Sequence, residues 1–394
     1  MYGMLLVATP FLLLQSFLQE AIGILSGSTL PLAGIKIPIV PTSALILLIA
    51  LMIRYRSRLT RRRILAGAVA VLMVATAQQI TDYYFGHRFY DLQQNWHYIA
   101  YSIFAFMVYR DLAPRGLPLY KIVLITYFGA LFLSTFDETF QRYMSSRIFD
   151  ISDIAKDVWG SLAGIILISL GGKKSEALLS RGKRFRHAKL QDYVKSPKSL
   201  LLLLFVLGIL LLAFSSLLSD SAYWASIILF TVSGFVLFFL LFHISQYRWG
   251  KYSLLSILLV GLCVQSYFFF RYRGDNIVHN QYGLTVYRGI PVFFFDVMIF
   301  PDGMFRLVDK KHDFNARDRI FLMKQKADIV LIASGARGKG GNGFPTKAPS
   351  QFFYNQYIQR GTQVIILKTP EACQVFNRLR REHKNVLLVL HNTC

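Results

Sequence analysis

Acidic residues are scarce in this sequence: 21 Asp and Glu stand against 44 Lys and Arg, and charged residues make up only 16% of its 394 residues. The three cysteines lack the paired spacing of a zinc site, so no metal is expected. Neither a G-x-S-x-G nucleophile motif nor an H-E-x-x-H metalloprotease motif is present. These absences lower the expectation of a hydrolase or a metalloenzyme.

Hydrophobic residues are abundant instead, at 54% of the chain, and they form repeated apolar runs of about 20 residues, the length that crosses a bilayer. The net charge of +23 would suggest a nucleic-acid partner in a soluble protein. Here, however, the basic residues form short blocks between the apolar runs, as cytoplasmic loops of membrane proteins do. The sequence therefore predicts an α-helical polytopic membrane protein with no nucleic-acid partner.

We predict about nine membrane spans. They lie near 2–22, 37–53, 64–82, 95–110, 119–137, 154–170, 199–218, 222–245 and 251–270. Met1 to Gln19 shows no basic leader and no small-residue cleavage site, which favours a retained first span. The basic blocks Arg54–Arg63 and Gly171–Lys198 are predicted to be cytoplasmic. Because successive spans cross the membrane in alternating directions, the loop Asp137–Asp153 is then predicted to be on the non-cytoplasmic side.

The composition divides the chain into four parts. They are a six-helix membrane domain (1–170), a basic cytoplasmic linker (171–198), a three-helix membrane connector (199–270) and a small α/β soluble domain (275–394) on the non-cytoplasmic side. Predicted strands of the last part are Leu284–Tyr287, Val292–Val297, Ile329–Ala333, Val364–Leu367 and Val386–His391. Glu371–Glu382 has helical periodicity, with Thr369 as N-cap. Strand, helix and strand in succession indicate a parallel pair joined by a crossover.

The acids that the chain does contain concentrate between Phe136 and Gly164. This stretch holds Asp137, Glu138, Gln141, Arg142, Arg147, Asp150, Asp153 and Asp157. Charged groups near a bilayer cost several kcal/mol unless they pair or reach water, so they are candidates for function. The alternative is a solvated loop between two spans. In the predicted topology Asp82, His97, Glu138 and Asp153 all lie at one membrane face, where they can converge. Asp153, Asp157, Gly160 and Gly164 form one stripe at helical spacing, and the two glycines have the spacing of close helix packing.

Several of these residues form a family pattern. His97 near a helix start is followed by D-E-x-x-Q, S-R-x-F-D-x-x-D and D-x-x-G-x-x-x-G, whose members are Asp137, Glu138, Gln141, Ser146, Arg147, Phe149, Asp150, Asp153, Asp157, Gly160 and Gly164. The segment of about 66–170 resembles the VanZ-like membrane domain. It departs from that family at Gln93–Asn95, where an acidic–basic pair is common, and at Asp157, where Asn is common. The family takes its name from a protein linked to teicoplanin resistance, so the resemblance implies a role in the cell envelope.

Four interpretations of this cluster remain open. We favour binding of a membrane lipid or a lipid-linked envelope precursor through Gln141, Arg147, Asp150, Asp153 and Asp157, in a bacterial inner (plasma) membrane. An acid/base enzyme acting on such a molecule would use His97 and Glu138 as its catalytic pair. Transport and a purely structural ion-pair network are further alternatives.

The loop Gly335–Gly343 contains a G-x-G-x-x-G pattern after an apolar run. Prolines follow from Pro345 instead of a helix, and Lys339 precedes Gly rather than Ser or Thr, so neither the dinucleotide nor the Walker motif is complete. We expect no cofactor. Arg337 and Lys339 suggest anion binding through the loop, against the alternative of an ordinary surface loop.

The segment of about 282–394 carries ADIVLIASG, GTQVIILKTPEACQVFNRL and REHKNVLLVL. It resembles a small α/β domain shared by an archaeal protein of unknown function and a mitochondrial complex I assembly factor. The resemblance implies an assembly or interaction role, with a protein partner for this domain. The predicted crossover also brings Cys373 and Cys394 to one sheet edge, which suggests a disulfide in an oxidising compartment; two unpaired thiols are the alternative.

Overall fold

The computed structural model describes residues 16–32, 35–81, 92–141, 149–171, 189–217, 224–274, 276–308, 313–314, 316–346 and 348–392. Its contacts divide the chain into two compact units, one up to His243 and one from Ile244.

Helices dominate the first unit. They are α1 (Ser16–Gly27), α2 (Ile39–Arg54), α3 (Arg61–Ile80), α4 (Leu92–Leu112), α5 (Leu119–Gln141), α6 (Ile151–Gly171), α7 (Leu190–Lys195), α8 (Pro197–Leu217) and α9 (Trp224–Ile244). A short antiparallel pair, β1 (Thr29–Leu32) and β2 (Ile35–Pro38), precedes α2. The helix α3 begins within the basic block, where the Thr60 side chain accepts a hydrogen bond from the Arg63 amide as an N-cap.

The helix α6 forms the centre of this unit. It packs against α3, α4, α5 and α8, and almost all of its side chains are buried. Trp159 is completely buried: its indole N–H donates to the Met73 carbonyl at 2.9 Å, and its ring lies 5.1 Å from that of Phe205. Because α6 contacts four other helices and most of its residues are apolar, it is expected at the core of the bundle; its charged residues are confined to its first two turns.

Five helices in the described part are long and apolar enough to cross a membrane: α5, α6, α8, α9 and α10 (Arg248–Tyr272). The chain is therefore a membrane protein, while the count of nine spans is not confirmed. The apolar helix α2 has only 16 residues, because the chain before Ile39 forms β2. Most of the span expected at 2–22 falls outside the described residues.

The second unit begins with α10 and continues as an α/β structure. Its strands are β3 (Ile277–Gln281), β4 (Leu284–Tyr287), β5 (Ile290–Phe293), β6 (Asp296–Ile299), β7 (Phe305–Val308), β8 (Ile329–Ala333), β9 (Ser350–Asn355), β10 (Arg360–Leu367) and β11 (Val386–Leu390), and its further helices are α11 (Ala316–Lys324) and α12 (Thr369–Arg381). The first three strands form an antiparallel sheet. The others form a sheet of order β7-β6-β11-β8-β10-β9, in which β11, β8 and β10 are parallel.

The strand predictions for this unit are largely confirmed. Leu284–Tyr287 and Ile329–Ala333 form strands over the predicted residues. The run Val292–Val297 is split between β5 and β6, because Phe294 adopts a positive φ of 59° and its amide donates to the Gly283 carbonyl. The parallel direction of β10 and β11 is also confirmed, but β8 lies between them, so the crossover spans a strand.

The segment 199–270, expected to form one connector, is divided between the units. Helix α8 packs in the first unit, where a Cβ at Gly208 would lie 3.0 Å from the Trp159 ring. Helix α10 packs on β4 and β5 in the second unit, where a Cβ at Gly289 would lie 2.9 Å from the Phe269 carbonyl oxygen. Because Gly208 and Gly289 have no side chain, α8 can pack closely on Trp159 in the first unit and α10 on the β4–β5 turn in the second.

Candidate functional site

A histidine–aspartate pair joins α4 and α6 in the first unit. His97 Nδ1 lies 2.9 Å from Asp157 Oδ1, and the Ser134 hydroxyl donates to the other oxygen of Asp157 at 2.7 Å. Ser134 comes from α5, so the three residues connect three helices. An aspartate that holds one ring nitrogen fixes the orientation of the histidine and leaves the other nitrogen for a second partner.

The second ring nitrogen faces another acid. His97 Nε2 lies 3.7 Å from Asp153 Oδ1, and Lys156 Nζ lies 2.8 Å from the same oxygen. Lys156 is almost completely buried, whereas His97 and Asp153 are each about a quarter exposed, at 23% and 25% of their side chains. Asp153 therefore lies near the Lys156 ammonium group and the His97 ring at the accessible side of the cluster.

Glu138 lies on α5 within the same cluster and is buried. It accepts hydrogen bonds from the Asp150 amide at 3.0 Å and from the Gln141 side chain at 3.3 Å. The Gln141 amide group also donates to Asp137 at 3.0 Å. Glu138 interacts electrostatically with Asp153 and His97. Its contacts join the last turn of α5 to the residue that precedes α6.

Close helix packing holds this arrangement. A Cβ at Gly160 would lie 2.8 Å from Tyr98 Cα, and one at Gly164 would lie 2.7 Å from the Ser102 carbonyl oxygen. The Ser102 hydroxyl donates to the Gly160 carbonyl at 2.8 Å. The predicted stripe of small residues is confirmed as a packing surface. Because this surface faces α4, the residues one and two turns before it, Asp157 and Asp153, reach His97.

The structure brings together most of the residues that the sequence suggested for this site. His97, Glu138, Gln141, Asp150, Asp153 and Asp157 meet where α4 begins, α5 ends and α6 begins. Arg147, together with Asp82, Arg142 and Ser146, lies outside the described residues. Within the described part, His97 and Glu138 have separate hydrogen-bond partners, so their suggested pairing as acid and base stays a prediction.

Three buried polar residues of this unit were not predicted from the sequence. Ser134 stands one turn before Glu138, and Lys156 stands three residues after Asp153, so helical spacing offered a signal for both. Gln78 of α3 is buried, and neither atom of its side-chain amide has a hydrogen-bond partner among the described residues. An unsatisfied buried amide costs about 1–3 kcal/mol, and nothing in the sequence distinguishes Gln78 from its neighbour Gln79.

The described side chains of the cluster are hydrogen-bonding groups. Among the described residues, no cluster of three or more His, Cys, Asp or Glu is placed to hold a metal ion. Among the described residues of the cluster, acids outnumber basic side chains: Asp137, Glu138, Asp150, Asp153 and Asp157 accompany Lys156 and the imidazole of His97. Such a site accepts hydrogen bonds from hydroxyl or amine groups of a ligand more readily than it binds an anion.

In the second unit, Arg337 and Lys339 are exposed on the loop after β8. The loop is closed by its own hydrogen bonds, from the Gly340 amide to the Ser334 carbonyl and from the Gly338 amide to the Gly335 carbonyl. The Lys368 side chain also lies beside this loop, 3.5 Å from where a Cβ at Gly338 would be. The anion-binding role of the loop stays a prediction.

Thr369, expected as an N-cap, is instead the first residue of α12, and Lys368 occupies the cap position. Its hydroxyl accepts from the Gly335 amide at 2.9 Å and donates to the His391 carbonyl at 2.8 Å. The side chain therefore joins the ends of β8 and β11 and is not used to cap its own helix.

A second histidine–aspartate pair was also missed. His391 Nδ1 lies 2.8 Å from Asp296 Oδ2, and the Asn392 amide donates to the other oxygen at 2.8 Å. Both side chains are buried, and they tie the end of β11 to the start of β6. The two residues are 95 positions apart, so no local pattern could have indicated the pair.

Cys373 is buried in the core of the second unit beside Ala372 and Phe376. Burial raises the pKa of its thiol to about 12. Cys394, its suggested disulfide partner, lies outside the described residues.

No family model matches the chain, and no curated protein matches it. Among solved structures, one described as MT938 shares 20% sequence identity and covers 31% of this chain and 100% of its own. Its TM-score of 0.24 is too low to support an argument about fold or function.

Proposed function

We propose that this chain is an integral protein of a bacterial inner (plasma) membrane that binds the polar part of a lipid or of a lipid-linked envelope precursor, in an accessory role like that implied by the VanZ-like resemblance. The observation that supports the proposal is the polar cluster at the common end of α4, α5 and α6. It has a buried side, formed by Glu138, Asp157 and Lys156, and a partly exposed side, formed by His97 and Asp153.

Binding is favoured because the acids are already engaged without forming a reactive arrangement. Asp157 has two partners, and Glu138 accepts from a backbone amide and from Gln141. Networks of this kind are rigid and keep their remaining acceptor positions in fixed directions. The Asp153 side chain, about a quarter exposed, is the acid of this network that a hydroxyl-rich or amine-bearing headgroup would reach.

Native mass spectrometry of the purified full chain tests this proposal. We expect the wild type to retain a specific lipid from a membrane extract, and Asp153→Asn to lose most of it. Asp111→Asn is the matched control, because Asp111 is an exposed acid at the other end of the same helix as His97. Equal lipid retention by Asp153→Asn and the wild type, at equal thermal stability, would contradict the proposal.

An acid/base enzyme is the second candidate, and the held ring of His97 favours it. Asp157 fixes one ring nitrogen while the other lies towards the accessible side, the geometry that a general base requires. An enzyme would keep its ligand in His97→Gln and Glu138→Gln but lose turnover of that ligand. A binding protein would tolerate Glu138→Gln with its lipid still bound and its phenotype unchanged.

The second unit fits an interaction role with a protein partner on the non-cytoplasmic side of the membrane. Its small α/β architecture and the resemblance of 282–394 support this part of the proposal. A reporter fused after Lys189 should read cytoplasmic, and one fused after Met144 or within the second unit should read non-cytoplasmic. Reporters at Lys189 and Met144 on the same side would refute the topology.

A further inference from the structure

A cleft of about 480 Å³ lies in the second unit, at the end of α12 that leads into β11. Its lining includes Asn276, Arg380, Arg381, His383, Lys384 and Asn385. None of the described residues that line it is an acid, and Glu382, the one acid of this short segment, does not line it. Three permanent cations thus share one concave surface.

Hydrogen bonds fix the chain that carries these cations. The Lys384 amide donates to the Leu379 carbonyl at 3.0 Å and the His383 amide to the Arg380 carbonyl at 3.1 Å, which closes the helix in a C-terminal cap with His383 at a positive φ of 55°. The Arg380 guanidinium donates to the Pro301 carbonyl at 2.6 Å. The cleft is therefore held in shape before any ligand arrives.

Two guanidinium groups also approach each other beside the cleft. A Cβ at Gly303 would contact the guanidinium groups of both Arg288 and Arg380. Basic residues at a helix C-terminus are favourable in themselves, because they compensate the helix dipole. The helix dipole explains why cations lie along the last turn of α12. It does not explain why they surround a concave surface, or why Arg288 of the β4–β5 turn approaches them.

The cleft lies close to the end of α10, which crosses the membrane by length and composition. Asn276 follows the last residue of α10, Tyr272, by four positions, so it lies within about 14 Å of that residue along the chain. Asn377 of α12 is bonded in both directions to Ile277, at 2.8 and 2.7 Å, which holds α12 next to the point where the chain leaves α10. The last turns of α10 carry Tyr267, Phe268, Phe269, Phe270 and Tyr272, as helices do at a membrane–water interface.

We propose that this basic cleft binds a phosphate group, and that Arg380, Arg381 and Lys384 are its ligands. Guanidinium groups match phosphate oxygens in pairs, and a fixed concave site without acids suits an anion. The same chemistry is offered by an anionic phospholipid headgroup and by a soluble phosphate compound. The site is separate from the α4–α6 cluster, and the proposal does not depend on the function proposed for that cluster.

The test uses the full chain in neutral detergent and two probes, phosphatidylglycerol followed by native mass spectrometry and inorganic phosphate followed by calorimetry. The variant is Arg381→Gln with Lys384→Gln, two exposed residues whose replacement leaves the core unchanged. Its control is Lys324→Gln with Lys326→Gln, which removes the same charge from exposed positions outside the cleft. We expect roughly tenfold weaker binding in the variant and no change in the control.

Each outcome decides the proposal. Weaker binding of phosphatidylglycerol alone identifies a lipid headgroup as the source, and weaker binding of phosphate alone identifies a soluble compound. Loss of both supports the shared chemistry. The proposal is overturned if the wild type binds neither probe, if the cleft variant binds both as the wild type does, or if the control loses as much as the variant, since the effect would then come from net charge. Arg381→Lys with Lys384→Arg keeps both charges and should retain binding.

Discussion

The two histidine–aspartate pairs in the described part of the molecule have nearly the same geometry but different surroundings. Nδ1 lies 2.9 Å from the carboxylate in the His97–Asp157 pair and 2.8 Å in the His391–Asp296 pair. The first pair has an aspartate that is 5% exposed and a histidine that is 23% exposed. In the second pair these values are 0% and 1%.

The partners of the two aspartates account for this difference. Asp296 receives its second hydrogen bond from the Asn392 backbone, so it joins two strands of one sheet. Asp157 receives its second from the Ser134 side chain, so it joins side chains of separate helices and leaves His97 facing Asp153. The same pair of residue types thus holds a fold together in one unit and presents an oriented ring in the other.

The largest loss of stability is expected from a substitution in the His391–Asp296 pair, which is fully buried. Asp296→Ala removes the acceptor of both His391 and the Asn392 amide, and breaking a buried, hydrogen-bonded pair costs about 3–5 kcal/mol. Hydrogen exchange of β6 and β11 in the full chain would show it as lost protection. Asp302→Ala, at an exposed turn, is the control. Unchanged protection in Asp296→Ala would remove the structural role assigned to this pair.

The next largest loss of stability is expected where close helix packing holds the His97–Asp157 pair. Gly160→Ala places a methyl group against the Tyr98 backbone and should separate α4 from α6, at about 1–3 kcal/mol, with loss of lipid retention. Gly67→Ala on α3 is the matched control, because nothing lies within 4 Å of the added carbon. Thermal unfolding in detergent measures both. Equal stability of the two variants would mean that the helices do not approach as described.

A smaller loss of stability is expected from a substitution in the His97–Asp157 pair itself. Asp157→Asn keeps the shape and one acceptor for Ser134 but weakens the contact with His97, so we expect about 1 kcal/mol. Lipid retention should nevertheless fall strongly, because the His97 ring loses its fixed orientation. A destabilisation as large as that of Asp296→Ala, together with normal lipid retention, would make the two pairs equivalent and both structural.

The smallest effect is chemical rather than structural. Because burial raises the pKa of Cys373 to about 12, its reactive thiolate is rare at pH 8, and alkylation of the folded protein should be slow and should accelerate as the pH rises towards that value. Cys373 in urea is the reference. If peptide mapping shows that Cys373 itself alkylates freely in urea without reductant, the bridge to Cys394 is excluded; if Cys373 alkylates only after reduction and the unreduced protein yields the linked Cys373 and Cys394 peptides, the bridge exists.

The part of the candidate site that lies on one helix could be predicted from helical spacing. Asp153, Asp157, Gly160 and Gly164 share one face of any helix that contains them, and the structure places that face against α4. The choice of partners could not be predicted. His97 meets Asp157 and Asp153 because Gly160 permits the approach of α4, and the depth of that approach depends on side chains of two helices at once.

The sequence by itself determined the class of the molecule: apolar runs between basic blocks specify a membrane protein, and alternating strand-length runs specify the α/β structure of the second unit, because both signals are local and repeat with the geometry of one element. Only the tertiary structure decided that β8 lies between β10 and β11, that His97 meets Asp157 across 60 positions, and that Asp296 meets His391 across 95 positions. These contacts follow from which faces pack together. That choice is made by the summed burial and hydrogen bonding of distant segments, which no single stretch of sequence contains.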